Sequence, residues 1–514
     1  MATVSQKKRK KDVKLSIKNL GPIESGKVDI KPLTVFIGEN QSGKSYLSLL
    51  IYSIFTSPNN DLIVRSNKLI KNQNFIKLNK EFNKFISENL PEEALFDIPE
   101  QFIKKIFDYN INLYSESIFS RLIKLTYSKK IQNISSFENK DLFVDINTGG
   151  FKIKLTSSDL DDYGNDNLYQ KMSFKFQINT DIIDSNYVDE SGEERISLSI
   201  GISDKKDEPI SFKYNIHNYK SIGKGYNFKE IMFNQIFESL NVVISERIKS
   251  INYRPTYYFP AGRAGILQGY RLFTHQMYGI MSSPDISQIN EPLVSGNLSE
   301  FMALISSLAT DKKSTPFKDE VREFESKILN GETYLKRNES YIDSEIRFKT
   351  NYGIDMPLLR ASSTVSELAP LFLLLKNRVR KHDTIIIEEI EAHLHPKNQE
   401  KIAALIVSLI RNEINVIMTT HSDYLLERLN HYLLISELVE QERKDLGYSL
   451  DLYLNPNEVS VNLLKKKRGK ESFLIKNLKL DPIEGIPQDE FRDISTNLYS
   501  NTIDILEKVQ NKYE

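Results

Sequence analysis

Gly38-Glu39-Asn40-Gln41-Ser42-Gly43-Lys44-Ser45 fits the pattern G-x-x-x-x-G-K-[ST] at every fixed position. The glycines let the backbone curl so that successive N–H groups point at phosphate oxygens. Lys44 would reach the β- and γ-phosphates of a nucleoside triphosphate, and the Ser45 hydroxyl would ligate Mg²⁺. Gly38, Asn40 and Gly43 would complete the cradle, and a helix starting near Lys44 would add its positive end.

Three other segments carry chemistry only in combination. Ile385-Ile386-Ile387-Glu388-Glu389 is an apolar run ending in two carboxylates. Glu388 would stand beside Mg²⁺ through water, and Glu389 would orient or activate the attacking water as a general base. The β-branched run ending in Thr419-Thr420 is closed by His421, where a histidine can contact a γ-phosphate and sense hydrolysis. Ser362 and Ser363 precede an apolar helical stretch, with Glu367 placed to close a capping box on Thr364. That segment is either a plain helix start or a helix N-terminus offered to the γ-phosphate of nucleotide held by another subunit. Singly, each pattern is common. Their value lies in their order along the chain, P-loop first, then double carboxylate, then strand-terminal histidine.

The elements that must position these groups are legible in outline. Val13 to Ile30 reads as two strands around Gly21-Pro22, and Leu33 to Ile37 as a strand buried on both faces. A buried helix follows the P-loop. Residues 57–252 read as an insertion. Leu62 to Ser128 has helical periodicity, and the alternating runs LFVDINTGGFKIKL, SFKFQIN, RISLSIGIS and ISFKYNIH read as a small antiparallel sheet with a turn at Gly149-Gly150. The core resumes at Tyr257-Tyr258-Phe259 and PAGRAGI, with helices over roughly Leu298 to Leu335 and a hairpin-like pair before Ser362. The division expected is 1–56 and 253–430 as two lobes of one core, 57–252 as the insertion, and 431–514 as a C-terminal extension with short strands and a helix near Ile503 to Tyr513. Alternating strands and helices place the fold in the α/β class.

Composition narrows the possibilities. A chain of 514 residues with 40% hydrophobic content can bury a large core and two or three domains. Lys plus Arg equals Asp plus Glu at 69, so net charge gives no sign of a polyanionic partner, although Lys7 to Lys11 and Lys465 to Lys470 are local basic clusters. With no cysteine, disulfides, thiolate metal sites and cysteine nucleophiles are excluded, which fits a reducing compartment. No apolar run approaches the ~20 residues that span a bilayer, and the basic N-terminus lacks an apolar region after it. A cytoplasmic protein without a membrane partner is expected.

Together the four segments resemble the ABC ATPase head in its OLD-like form. This group includes the overcoming-lysogenization nucleases and the ATPases of the Gabija, Septu and PARIS phage-defence systems. EEIEAHLHP (Glu388 to Pro396) is similar to that group's double glutamate and D-loop, and PAGRAGI and LSIKNLGPI…LTVFIGENQSGKS are also similar to segments recurring there. The resemblance covers roughly Lys14 to Phe55 and Tyr257 to Leu429, with a weaker match at IEGIPQDEF.

It implies a P-loop ABC-type head that binds ATP and Mg²⁺ in composite sites shared by a homodimer or higher homo-oligomer. Gly43, Lys44 and Ser45 would act in cis, Glu388 would support the metal, and Glu389 would be the catalytic carboxylate. Ser362 and Ser363 would be the signature acting in trans, Ala392 to Leu394 the D-loop and His421 the switch histidine. Gln268 or Gln288 would serve as the Q-loop residue. Two departures stand out: Thr364 where the signature usually has glycine, and Ile390 where the D-loop usually has proline. A Cβ at the former hinders close approach to phosphate, so slow ATP hydrolysis is expected.

The function this implies is an ATPase sensor or scaffold controlling a separate effector, a nuclease or toxin, with a phage protein or DNA as trigger. The segment after His421 is short for a Toprim nuclease domain and has no D-x-D. The alternatives are a DNA-repair or SMC-like ATPase, which would need long heptads, and a nucleic-acid-binding ATPase using the basic clusters. A membrane transporter subunit fits poorly with the insertion and with EEIEAHLHP.

Overall fold

The computed structural model describes residues 13–56, 76–77, 79–84, 118–119, 121–126, 142–148, 151–156, 183–188, 194–201, 211–215, 255–269, 295–308, 315–337, 344–481, 485–487 and 489–510. Its first elements are strands β1 (Val13–Leu20), β2 (Ile23–Ile30) and β3 (Leu33–Gly38) and helix α1 (Lys44–Thr56). Strands β4 (Phe143–Thr148), β5 (Phe151–Thr156), β6 (Ile183–Val188), β7 (Glu194–Gly201), β8 (Ser211–Asn215) and β9 (Thr256–Phe259) follow. Then come α2 (Gly296–Leu308), α3 (Lys318–Leu329), β10 (Gly331–Arg337), β11 (Ser344–Thr350), β12 (Asp355–Pro357) and α4 (Ser363–Asn377). The chain continues with β13 (Thr384–Ile387), α5 (Pro396–Arg411), β14 (Asn415–Thr420), α6 (Asp423–Glu437), α7 (Glu440–Asp445), β15 (Val459–Lys466), β16 (Phe473–Leu478) and α8 (Asp489–Gln510).

A ten-stranded sheet in the order β5-β4-β1-β2-β16-β15-β3-β14-β13-β9 forms the body of this α/β fold. From β15 to β9 every neighbouring pair is parallel, so these strands end at one common edge. The other half, from β5 to β2, is an antiparallel meander.

Strands β3, β13 and β14 are mostly apolar and buried at nearly every position because both of their faces are covered. Alternation divides them between two cores. Val35, Ile385, Ile387, Val416 and Met418 join the core under α4, α5 and α6. Phe36, Ile386 and Ile417 join the core under α1, with Leu47, Leu50 and Ile51. Each such side chain, taken from water, contributes roughly 1.5–3 kcal/mol.

Two elements differ from expectation. The β4–β5 pair, expected in the insertion's small sheet with the later runs, extends the main sheet through β4 against β1. Of the runs assigned to a small separate sheet, RISLSIGIS and ISFKYNIH do form one with β6, as β7 and β8. The helical stretch expected up to Leu335 stops at Leu329. Asn330 takes the left-handed conformation (φ 54°) and Gly331 opens strand β10.

Within the C-terminal segment, β15 lies in the main sheet between β3 and β16. Residues 79–84 and 121–125 are helical, as the periodicity there predicts. The rest of Leu62 to Ser128, SFKFQIN and Gly149-Gly150 lie outside the described residues. Among the described residues no helix is long and apolar enough to cross a membrane.

Candidate functional site

The P-loop joins β3 to α1 at the edge where the parallel strands end. Its two glycines answer to packing as well as phosphate geometry. Gly38 has φ 147°, and a Cβ there would stand 2.7 Å from the Leu464 carbonyl of β15. Gly43 has φ 100°, and a Cβ there would stand 2.8 Å from Ile23. Only glycine fits either position without a shift. Lys44 is buried, and its ammonium donates to the carbonyls of Gly38 (2.9 Å) and Glu39 (2.7 Å), so its charge is held inside the loop. Burial lowers its pKa to about 8, against the opposing pull of Glu389, Glu388 and Glu391. Asn40 and Ser45 are exposed on the loop and at the start of α1.

Glu388 follows β13 directly and is 5% exposed. Its backbone N–H donates to Phe259 of β9 at 2.9 Å, which fixes the strand end against its neighbour. Burial raises its carboxyl pKa, while the nearby hydroxyls of Tyr258 and Ser45 and the Ala261 N–H favour the charge. Glu388 Oε1 has no hydrogen-bond partner. An unpaired buried carboxylate oxygen beside the P-loop serine is the donor set that Mg²⁺ with its water shell satisfies. Ser45 and Glu388 therefore fit a metal, and Gly38, Asn40, Gly43 and Lys44 fit a triphosphate.

Glu389 adopts φ 44°, and its N–H is shared between the Thr419 carbonyl and hydroxyl, each at 3.1 Å. This turns its side chain out of the strand, partly exposed, to within 3.9 Å of His421 Nε2. Burial and the Lys44 charge lower the His421 pKa, and Glu389 opposes them. Lys44, Glu388, Glu389 and His421 are thus brought together from three adjacent strands.

Ser362 and Ser363 are exposed at the start of α4. Here the expected capping box is corrected. The N-cap is Ser362, whose side chain accepts from the Val365 N–H at 3.4 Å. Glu367 lies beyond the third helical position, Val365, where a box would close; it is fully buried and accepts from the Ala264 N–H at 3.0 Å. Thr364 donates instead to the carbonyl of His393, in the segment between Glu389 and α5, at 2.8 Å. Gln268 is exposed in a short helix over residues 263–269, and Gln288 lies outside the described residues.

Sequence reasoning missed two residues. Glu391 is half-buried and accepts from the His421 N–H (2.6 Å) and the Thr420 hydroxyl (2.8 Å), tying the segment after the double glutamate to the end of β14. Its signal was a third carboxylate close behind the pair. Arg263 is fully buried among the carbonyls around Glu388 and Glu389. Its only signal was an arginine directly after Pro-Ala-Gly at a strand end. The Lys465 to Lys470 cluster lies around the β15–β16 turn, where Lys467 is paired with Glu24 at 2.7 Å and Lys466 with Glu471 at 2.9 Å. Lys7 to Lys11 lies outside the described residues.

Similar solved structures include the SMC head bound to the C-winged helix domain of ScpA (12% identity, TM-score 0.35, covering 91% of this chain and 98% of that one). The SMC head domain from Thermotoga maritima is 10% identical, with a TM-score of 0.28, covering 91% of this chain and 100% of that one. The Smc head with an extended coiled coil bound to the C-terminal domain of ScpA, derived from Pyrococcus furiosus, is 11% identical, with a TM-score of 0.35, covering 98% and 100%. No curated protein matches the chain. The family model of the AAA ATPase domain matches residues 13–426, and with a P-loop on a mixed α/β sheet the chain belongs to that ATPase family.

Proposed function

We propose that this chain binds and hydrolyses Mg-ATP as an ABC-type switch whose complete site forms between two copies, and that it thereby controls a separate effector, a nuclease or toxin, in antiviral defence. The observation that carries the ATPase reading is the convergence of the Lys44 ammonium, the unpaired Glu388 oxygen and the Glu389–His421 pair at one sheet edge.

When bound, Mg²⁺ would draw charge from the β- and γ-phosphates. Lys44 would trade its loop carbonyls for phosphate oxygens. Ser45 and Glu388 would hold the metal's protein side. Glu389, partly exposed and turned away from the strand, would orient a water and take its proton. His421 would contact the γ-phosphate as a largely neutral imidazole at pH 7, since its pKa is lowered from its ordinary value.

The two-copy arrangement is supported by the exposed Ser362 and Ser363 at the N-terminus of a fifteen-residue helix, whose dipole suits an anionic γ-phosphate brought by a partner. The defence role is supported by the likeness of EEIEAHLHP and PAGRAGI to OLD-like ATPases. On that reading a phage protein or DNA is the trigger.

The test is size-exclusion with light scattering on Glu389→Gln protein with and without Mg-ATP, beside turnover assays of mutant and unmodified chains. ATP-locked self-association with loss of turnover is the expected result. Association that ignores ATP, with turnover surviving the change, would refute both the shared site and the role of Glu389.

A further inference from the structure

We propose that Arg263 is a positioning residue that couples the helix bearing Ser362 and Ser363 to the two carboxylates of the same subunit's ATP site. On this view γ-phosphate docking at the serines of one chain sets the geometry of that chain's own Glu389. The inference rests on the shared-site reading above and adds a route between its halves.

The geometry that carries it is a single buried guanidinium that meets three elements of the fold. Arg263 is fully buried, and Nη1 donates to the carbonyls of Pro260 (2.8 Å) and Glu388 (2.7 Å). Nη2 donates to the carbonyl of Glu389 at 3.3 Å. Nε donates to the carbonyl of Glu367 at 3.1 Å and is ion-paired with its carboxylate at 3.1 Å. The fork therefore spans β9, the end of β13 and α4 at once.

A core needing only a filler would use an apolar side chain there, since a buried ion pair is weak evidence for stability. What the fork adds is geometry. Its donors are coplanar and fixed relative to one another, so a rotation of α4 that moves Glu367 moves the Glu388 and Glu389 carbonyls with it. A second tie runs in parallel. Thr364 on the first turn of α4 holds the His393 carbonyl, and His393 Nε2 stands 4.0 Å from Glu367. The exposed serines lie at the outer end of this lever, and the catalytic carboxylate at its inner end.

The experiment uses the full chain and three readouts: ATP binding, ATP-driven self-association in the Glu389→Gln background, and turnover. Arg263→Lys keeps the charge but lacks the planar fork. It should bind ATP within about threefold of the unmodified chain and still self-associate, while kcat falls roughly 10–100-fold, as for a small misplacement of a catalytic group. Glu367→Gln keeps an acceptor for the Ala264 N–H and removes the ion pair. It should show the same split, and the double variant should lose no more than the worse single one, because both break one connection.

If Arg263→Lys does not fold, Glu367→Gln decides by the same criteria. Unmodified turnover in a folded variant overturns the coupling and leaves the ATPase reading standing. Loss of ATP-driven association overturns it as well, because Arg263 would then merely shape the serine-bearing helix. An unmodified chain with no turnover takes down both readings.

Discussion

His421 Nε2 lies 3.9 Å from Glu389 Oε1, across the ends of two neighbouring parallel strands. The separation is set by register: β13 pairs Ile387 with Met418, and the Glu389 N–H is then captured by Thr419. With the His421 pKa lowered, Glu389 faces a neutral ring at pH 7. His421→Ala should leave ATP affinity nearly unchanged and lower kcat by roughly 10²-fold, the usual effect of losing one fixed donor to developing charge. Steady-state turnover beside direct nucleotide titration checks this. Equal losses in both would assign His421 to ground-state binding.

Lys44 gives a pH dependence with a definite sign. Its pKa in the nucleotide-free chain is about 8, so the ammonium is present below that value and lost above it. Triphosphate oxygens favour the charged form. ATP binding should therefore take up a proton above pH about 8, and affinity should fall there by up to ~10-fold per pH unit. Calorimetric titration across pH 7 to about 9.5 in buffers of different ionisation enthalpy measures both quantities. A flat profile would mean that Lys44 does not face the phosphates.

How much of this was legible in sequence differs from residue to residue. Lys44, Glu388 and His421 were readable because each follows an apolar, β-branched run that could only be a buried strand, and chemistry at strand ends is local. The place of β15 was not, because LLKKK looks like the end of a surface strand. Its pairing with β3 joins residues more than four hundred positions apart. Arg263 was unreadable for the same reason. Its value comes from carbonyls more than a hundred residues away, and no periodicity encodes a backbone acceptor. The helix start at Ser362 was readable, but the partner of Glu367 was not. A capping box is a local pattern, and Glu367 is taken by a long-range ion pair.

Glu388 carries a stability prediction opposite to its functional one. Burial raises its pKa, so the ionised carboxylate costs folding free energy, and that cost appears as pH rises through and above the unfolded carboxyl pKa. Glu388→Gln should raise the thermal midpoint at pH 7 and give no gain near pH ~4, where the unfolded carboxyl is largely protonated. The same change should weaken Mg²⁺ dependence of turnover roughly 10–100-fold, as removal of a group that orients metal-bound water does. Thermal melts at the two pH values and a Mg²⁺ titration of turnover are the checks. A lower midpoint at pH 7 would mean that the carboxylate is a structural anchor.

Gly38 tests whether β15 is part of the ATP site's scaffold. At φ 147° a Cβ would meet the Leu464 carbonyl at 2.7 Å, and that carbonyl is backbone in mid-sheet, which cannot move like the end of a flexible side chain. Gly38→Ala should therefore displace the first turn of the P-loop or push β15 from β3. The backbone strain alone costs about 1–3 kcal/mol. Gly265→Ala is the matched control, since a Cβ there meets nothing within 4 Å, and in a short helix alanine is preferred over glycine. The expected outcome is a lower denaturant midpoint and at least ~10-fold weaker ATP binding for Gly38→Ala, with neither effect at Gly265; a tenfold loss corresponds to about 1.4 kcal/mol. If both variants bind ATP like the unmodified chain, β15 yields at the P-loop, and the C-terminal strand does not brace the site.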